Sequence, residues 1–136
     1  MSLYYLDASA LVKLVRVEPE SASLRTFLAS DDLISSELVL TEVPRAIRRA
    51  AAANPALPVA QLVERTEDLL EVIALLPVDR AVLAAAGALA EPALRALDAI
   101  HVASAIDAGP LDAFVSYDVG QSAAARLAGL RTMAPA

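Results

Sequence analysis

Cysteine is absent from the 136 residues, and histidine occurs once, at His101. The first absence excludes disulfides and thiolate zinc sites. Together the two leave any bound metal to be held mainly by oxygen, the donor that suits magnesium or manganese. Lysine is almost as scarce. Against 17 acids the chain has 11 basic residues, of which only Lys13 is a lysine, and the net charge is −6. A protein held to nucleic acid by charge alone is usually basic, so simple non-specific duplex binding is disfavoured. A nuclease is not, because divalent ions in an acidic pocket invert the local field. Long apolar runs are missing too. Hydrophobic residues make up 57% of the chain, yet the longest such run, Ala81 to Ala90, is interrupted by Gly87 and falls well short of the ~20 residues of a bilayer span. Asp7 and Lys13 break the only stretch that could have formed a secretory signal, so a cytoplasmic protein with no membrane segment is expected. The length suits one domain over residues 1–136, large enough to bury a core without staples. No repeat, low-complexity tract or linker divides it.

Among the residues that are present, Leu3-Tyr4-Tyr5-Leu6 has no polar alternation and reads as a strand buried on both faces at the centre of a parallel sheet. It ends in Asp7, followed by Ala8 and Ser9. In open α/β sheets ligands bind at the strands' carboxyl edge, so an acid there needs explaining. Capping of the helix expected over Ala10–Val17 is one explanation, open to Asp7 or Ser9. A second helix is expected over Ser21–Leu28 and a short strand at Leu33-Ile34-Ser35. The helix over Glu37–Ala53 buries a stripe of Leu38, Val39, Val43, Ala46, Ile47 and Ala50. Glu42 lies inside that stripe, one turn from both Leu38 and Ala46. An unpaired buried carboxylate costs several kcal/mol, so Glu42 needs a metal, a partner such as Arg45 or Arg49, or a place at the stripe's wet border. Metal binding is the better use.

Pro44 should kink this helix or free a carbonyl. Beyond Asn54-Pro55 a helix is expected from Val59 to about Glu71, with Glu64, Glu67, Asp68 and Glu71 as its solvated face. A third strand over Val72–Leu76 follows. Asp79 caps an alanine-rich helix over Arg80–Ala90, and a further helix lies within Leu94–Ile106. Asp98 opens that helix, where an acid also suits the dipole, and Leu97, Ala99 and Val102 suggest a largely buried neighbourhood. His101 shares a face with Asp98 as a packed residue or an orienting partner. Ala113 to Tyr117 reads as a fourth strand that again ends in an acid, Asp118. A last helix over Val119–Leu127 closes at Gly129 and feeds a final short strand at Leu130–Met133.

Strands and helices in βαβ order predict an α/β/α three-layer sandwich around a mainly parallel sheet, on one edge of which Asp7, Glu42, Asp98 and Asp118 can converge. Four carboxylates cannot share a pocket as bare anions at neutral pH. Either some are protonated or a cation sits among them, and oxygen-only ligation favours magnesium or manganese. Such ions can activate water against a phosphodiester, which is hydrolytic nuclease chemistry.

Four segments, Tyr5 to Lys13, Ser35-Ser36 with Thr41 to Ala46, Leu97 to Ala103, and Phe114 to Asp118, together resemble the PIN-domain ribonucleases, particularly the VapC toxins of toxin–antitoxin pairs. The resemblance spans essentially the whole chain. It implies that Asp7, Glu42, Asp98 and Asp118 form the catalytic and metal-holding quartet, with Ser9 and Ser116 as supporting hydroxyls around it. Ser116 stands where many members carry threonine. The resemblance further implies magnesium-dependent cleavage of RNA, a homodimer, and a small VapB-like antitoxin whose tail blocks the pocket. Arg45 and Arg49 could touch substrate phosphates beside the metal, or be a solvated helix end, whereas Arg48 points elsewhere. A phosphate-accepting receiver domain also gathers acids and magnesium at strand ends, but it needs a lysine at a late strand end, and Lys13 is in the first helix. A PIN-like protein that binds without cutting, or a housekeeping RNA-processing nuclease, remain the alternatives.

Overall fold

The computed structural model describes residues 2–136. The chain runs through β1 (Leu3–Leu6), α1 (Ala8–Val15), α2 (Ser21–Leu28), β2 (Asp32–Ser36), α3 (Val39–Ala53), α4 (Val59–Val72), β3 (Ala74–Leu76), α5 (Arg80–Gly87), α6 (Ala96–Asp107), β4 (Ala113–Val115), α7 (Val119–Leu127) and β5 (Thr132–Met133). The strands form one sheet in the order β3-β2-β1-β4-β5, and every neighbouring pair is parallel. β1 is therefore central, as its unbroken apolar run requires.

Alternation along the strands sorts the helices into two layers. Tyr4 and Leu6 of β1, Leu33 of β2, and Ala113 and Val115 of β4 face a core completed by α1 to α4, through Leu11, Leu24, Val43 and Leu62. Tyr5, Ile34 and Phe114 face the opposite way and pack against Val102 and Ala105 of α6 and Ala125 of α7. A smaller cluster joins α5 to α6 through Val82, Ala86, Ile100 and Ala103. The result is the three-layer α/β/α sandwich expected, with its sheet wholly rather than mainly parallel.

The chain builds outward from β1 to β2 and β3, then crosses back to lay β4 on the other side of β1. The strand order reverses between β1 and β4, and the crevice at such a reversal is where open α/β sheets bind ligands. Asp7 directly follows β1, its amide bonded to the Val115 carbonyl at 3.2 Å, and Asp118 lies just beyond β4. The fold thus brings these acids together.

Several boundaries differ from expectation for identifiable reasons. α1 begins at Ala8 because Asp7 itself caps it, accepting the Ala10 amide. α4 continues through Val72, which is 79% exposed, so β3 is confined to Ala74–Leu76. α3 starts at Val39, since the Glu37 amide is engaged by the Leu76 carbonyl at the end of β3. The helix is unbroken across Pro44. β4 stops at Val115, so Asp118 is not the strand's last residue but the cap of α7 after a two-residue loop. The left-handed Gly129 after α7 is present, with φ of +93°. No helix among the described residues is long and apolar enough to cross a membrane.

Candidate active site

An open pocket of about 580 Å³ lies over the carboxyl edge of β1 and β4, and Asp7, Glu42, Asp98 and Asp118 all line it. They arrive on four different elements, separated by up to 111 positions in sequence (118 − 7).

Asp7 is the buried member, with 1% exposure. Its Oδ1 accepts the Ser9 hydroxyl at 2.6 Å and the Ala10 amide at 3.0 Å, and its Oδ2 accepts the Ser116 hydroxyl. Burial pushes its carboxyl above the ordinary range, and these three donors oppose the rise. A carboxylate oxygen has two lone pairs, so Oδ1 is saturated and Oδ2 keeps one free. The serines also accept: Ser9 Oγ takes the Tyr117 amide at 2.9 Å, and Ser116 Oγ takes the Asp118 amide at 3.0 Å. Both supporting hydroxyls therefore fasten Asp7 to the β4–α7 loop that carries Asp118.

Asp118 is exposed and caps α7 by accepting the Gln121 amide on Oδ1 at 2.8 Å, which leaves its other oxygen free. Asp98, half-buried in the first turn of α6, makes no side-chain hydrogen bond among those of the described residues. Burial raises its proton affinity, and the charges of Asp118, Asp7 and Glu42 act in the same direction, only partly offset by His101. That mutual influence is the electrostatic signature of acids gathered in one place. Leu97 was expected to be buried beside Asp98, but it is 49% exposed and forms part of the pocket wall, while Ala99 and Val102 are buried.

Glu42 occupies the border of the α3 stripe. Neither Arg45 nor Arg49 pairs with it. Its partner is His101, whose Nε2 lies 2.6 Å from Glu42 Oε1. The single histidine thus serves an acid, but it is Glu42 on another helix rather than Asp98 on its own.

Arg45 and Arg49 are exposed and line the pocket, and Arg48 does not. Lys13, read from sequence only as the polar side of the first helix, also reaches the wall. There it is paired with Glu18 at 3.2 Å and Glu20 at 2.9 Å and lies over the Tyr117 ring, 4.8 Å from its centroid. Sequence reasoning also missed Gln121. Its buried side chain donates to the Asp98 carbonyl at 3.2 Å while its backbone amide donates to Asp118 Oδ1, tying the starts of α6 and α7 together. The spacing from Asp118 to Gln121, a capping acid and the third residue of its helix, was the available signal.

The donor set fits a hard divalent cation: oxygen ligands, several anionic, with the one nearby lysine already engaged by other acids. Among the described residues, no three His, Asp or Glu side chains are already drawn into ligating proximity. The four acids nonetheless share one pocket.

Comparison with known proteins agrees with this geometry. The family model described as the PIN domain matches residues 4–127. Ribonuclease VapC35 of Mycobacterium tuberculosis is 40% identical over 141 aligned positions, covering 98% of this chain and 97% of the relative. Ribonuclease VapC46 of the same organism is 39% identical, covering 99% of each. Among solved structures, the sarcin-ricin loop cleaving toxin VapC20 of M. tuberculosis superposes with a TM-score of 0.73 at 18% identity, over 97% of this chain and 99% of that one. VapBC2 of Rickettsia felis, bound to a DNA fragment from its promoter, gives 0.69 at 14% identity, over 98% and 99%.

Proposed function

The chain belongs to the PIN-domain family, among its VapC-type members, and on that premise we propose that it is the endoribonuclease toxin of a toxin–antitoxin pair, cutting RNA at the Asp7, Glu42, Asp98 and Asp118 pocket. Ribonucleases of this kind generally depend on a divalent metal; the ion proposed here is Mg2+, with Mn2+ able to replace it. The observation that carries the reading is the convergence of four carboxylates from four elements at the β1/β4 crevice.

Asp7, through the free lone pair of Oδ2, and Asp98 and Asp118, through uncommitted oxygens, would hold the ion. Glu42 would complete the set and help order the attacking water. Bound there, the ion supplies a water of lowered pKa and charge stabilisation for the departing oxygen. Ser9 and Ser116 keep Asp7 oriented and oppose the rise that burial imposes on its proton affinity. Asp98, whose proton affinity is raised, must release any proton before it can ligate, so loading is coupled to pH. Arg45 and Arg49, which line the same pocket, are proposed to contact phosphates flanking the scissile bond, offsetting the repulsion expected from a net charge of −6.

The partners proposed are a small VapB-like antitoxin and a second copy of the chain. They are supported by the kinship with VapC ribonucleases and by the likeness to the VapBC2 assembly. Residues 1–136 are taken as one domain, since a single sheet uses strands from Leu3 to Met133, and the cytoplasm is the setting proposed.

The chemistry is tested by the ends of the cleaved RNA. Attack by water leaves an acyclic phosphate and still proceeds when the scissile nucleotide is 2′-deoxy. Cyclic 2′,3′-phosphate ends, or loss of cutting on deoxy substitution, would instead mean attack by the ribose hydroxyl and refute the proposed mechanism.

A further inference from the structure

We infer that Tyr5 and His101 form a positioning relay for Glu42, in which the Tyr5 hydroxyl donates to His101 Nδ1 and thereby sets the ring proton on Nε2, where it is donated to Glu42 Oε1. The inference rests on the reading of the acidic pocket as a divalent-metal centre. In this role neither residue touches the substrate. They act by fixing how Glu42 presents its remaining oxygen.

The geometry is continuous. Tyr5 Oη lies 2.8 Å from His101 Nδ1, and His101 Nε2 lies 2.6 Å from Glu42 Oε1. Tyr5 and His101 are both 0% exposed, so water does not substitute for the contact between them, while Glu42 reaches the ring from the pocket side. The tyrosine ring is fixed on both sides, stacked on Phe114 at 5.3 Å and 7° and edge-on to the His101 ring at 5.8 Å and 79°.

The proton order follows from donor and acceptor capacity. An ionised carboxylate only accepts, so Nε2 must carry the hydrogen that bridges to Glu42. In a neutral imidazole Nδ1 is then bare and accepts, and Tyr5 is the donor it faces. A tyrosine hydroxyl keeps its hydrogen at neutral pH and can donate it.

The relay also joins the elements that carry the acids. Tyr5, on β1, lies two residues before Asp7, His101 follows Asp98 by one turn of α6, and Glu42 is on α3. A glutamate reaching from a neighbouring helix has many rotamers, and a ring held at both nitrogens reduces that freedom. Groups that hold a metal's ligands in this way typically change metal affinity by about 10–100-fold when removed.

Because His101 is the only histidine, protein labelled with 15N-histidine reports on this one ring. Two-bond 1H–15N spectra are expected to show the proton on Nε2 in the wild type and a shift of population toward Nδ1 in Tyr5→Phe. Mn2+ titration calorimetry is expected to give binding weakened about 10–100-fold in His101→Leu, less in Tyr5→Phe, and partly recovered in His101→Gln, which restores a donor. Circular dichroism and thermal melting establish that each variant is folded. Tyr5→Phe retains the packed ring, so it keeps the test available if His101→Leu does not fold. A wild-type ring protonated on Nδ1 or on both nitrogens overturns the relay. So does unchanged Mn2+ affinity in folded Tyr5→Phe and, where it folds, in His101→Leu, while Asp7→Asn abolishes binding. If Mn2+ binds equally well to the wild type and Asp7→Asn, the metal-centre reading fails instead, and the ring spectra still decide the proton order.

Discussion

Ser116 donates its hydroxyl to Asp7 Oδ2 and at the same time accepts the Asp118 amide at 3.0 Å. One side chain therefore fixes the direction of the first acid in the chain and the loop that presents the last. Ser9 repeats the arrangement on Oδ1 with the Tyr117 amide, and the two hydroxyl oxygens stand 3.5 Å apart. The crevice between β1 and β4 is held by polar bonds where its two acids would otherwise repel.

Replacing Ser116 by alanine leaves a buried carboxylate oxygen and an amide without their partner, at a cost of about 1–3 kcal/mol. Urea unfolding of Ser116→Ala should show that loss, and its cleavage rate should fall about 10-fold or more as Asp7 loses orientation. Ser116→Thr keeps the hydroxyl and should retain most of both. Equal losses in the two variants would mean that volume, not the hydroxyl, matters at this position.

Metal-free protein should become less stable as pH rises above the ordinary carboxylate range. Burial raises the folded-state proton affinity of Asp7 and, helped by Asp118, that of Asp98, each from an ordinary pKa of 3.8. The folded chain then binds these protons more tightly than the unfolded one, so their contribution is full below that ordinary value and is lost as pH climbs through the raised folded values. Asp98→Asn should flatten the slope and add less than about 1 kcal/mol near neutrality, given its partial exposure to solvent. Excess Mg2+ should reverse the trend, adding ~2.7 kcal/mol at a hundredfold excess over its Kd, with the larger gain at higher pH. Thermal melting across pH with chelator or magnesium reads both signs.

Arg45→Ala and Arg49→Ala should each raise KM for RNA several-fold with little change in kcat. Each should also reduce the salt slope of binding by roughly 0.7, the value for one phosphate contact on a single strand. Arg48→Ala, outside the pocket, is the control. A fall in kcat with KM unchanged would place these guanidiniums in the chemical step rather than in substrate binding.

Much of this arrangement can be read from the chain. The run from Leu3 to Leu6 has no polar residue, which places β1 at the sheet's centre, and an acid after it marks the edge where ligands bind. Glu42 stands out because a carboxylate interrupts an apolar helical stripe. The βαβ order lets these acids converge with Asp98 and Asp118 on one sheet edge, the family resemblance implies that the four act as a quartet, and the fold brings all four to one pocket. Other features depend on contacts that local spacing does not encode. That His101 serves Glu42 depends on how α6 crosses α3, and the engagement of Lys13 by Glu18 and Glu20 depends on how the chain turns after α1. The early end of β4 reflects the Tyr117 amide going to the Ser9 hydroxyl and the Asp118 amide to the Ser116 hydroxyl instead of to a neighbouring strand.

The central claim, that the four carboxylates form a metal-dependent RNA-cutting centre, is tested most directly by incubating a mixed RNA pool with purified protein in magnesium, in chelator, and as folded Asp7→Asn in magnesium. The account predicts cutting in the first condition and none in the other two. Cutting that persists in chelator or in Asp7→Asn, or no cutting in magnesium by protein that still binds the ion, would contradict it.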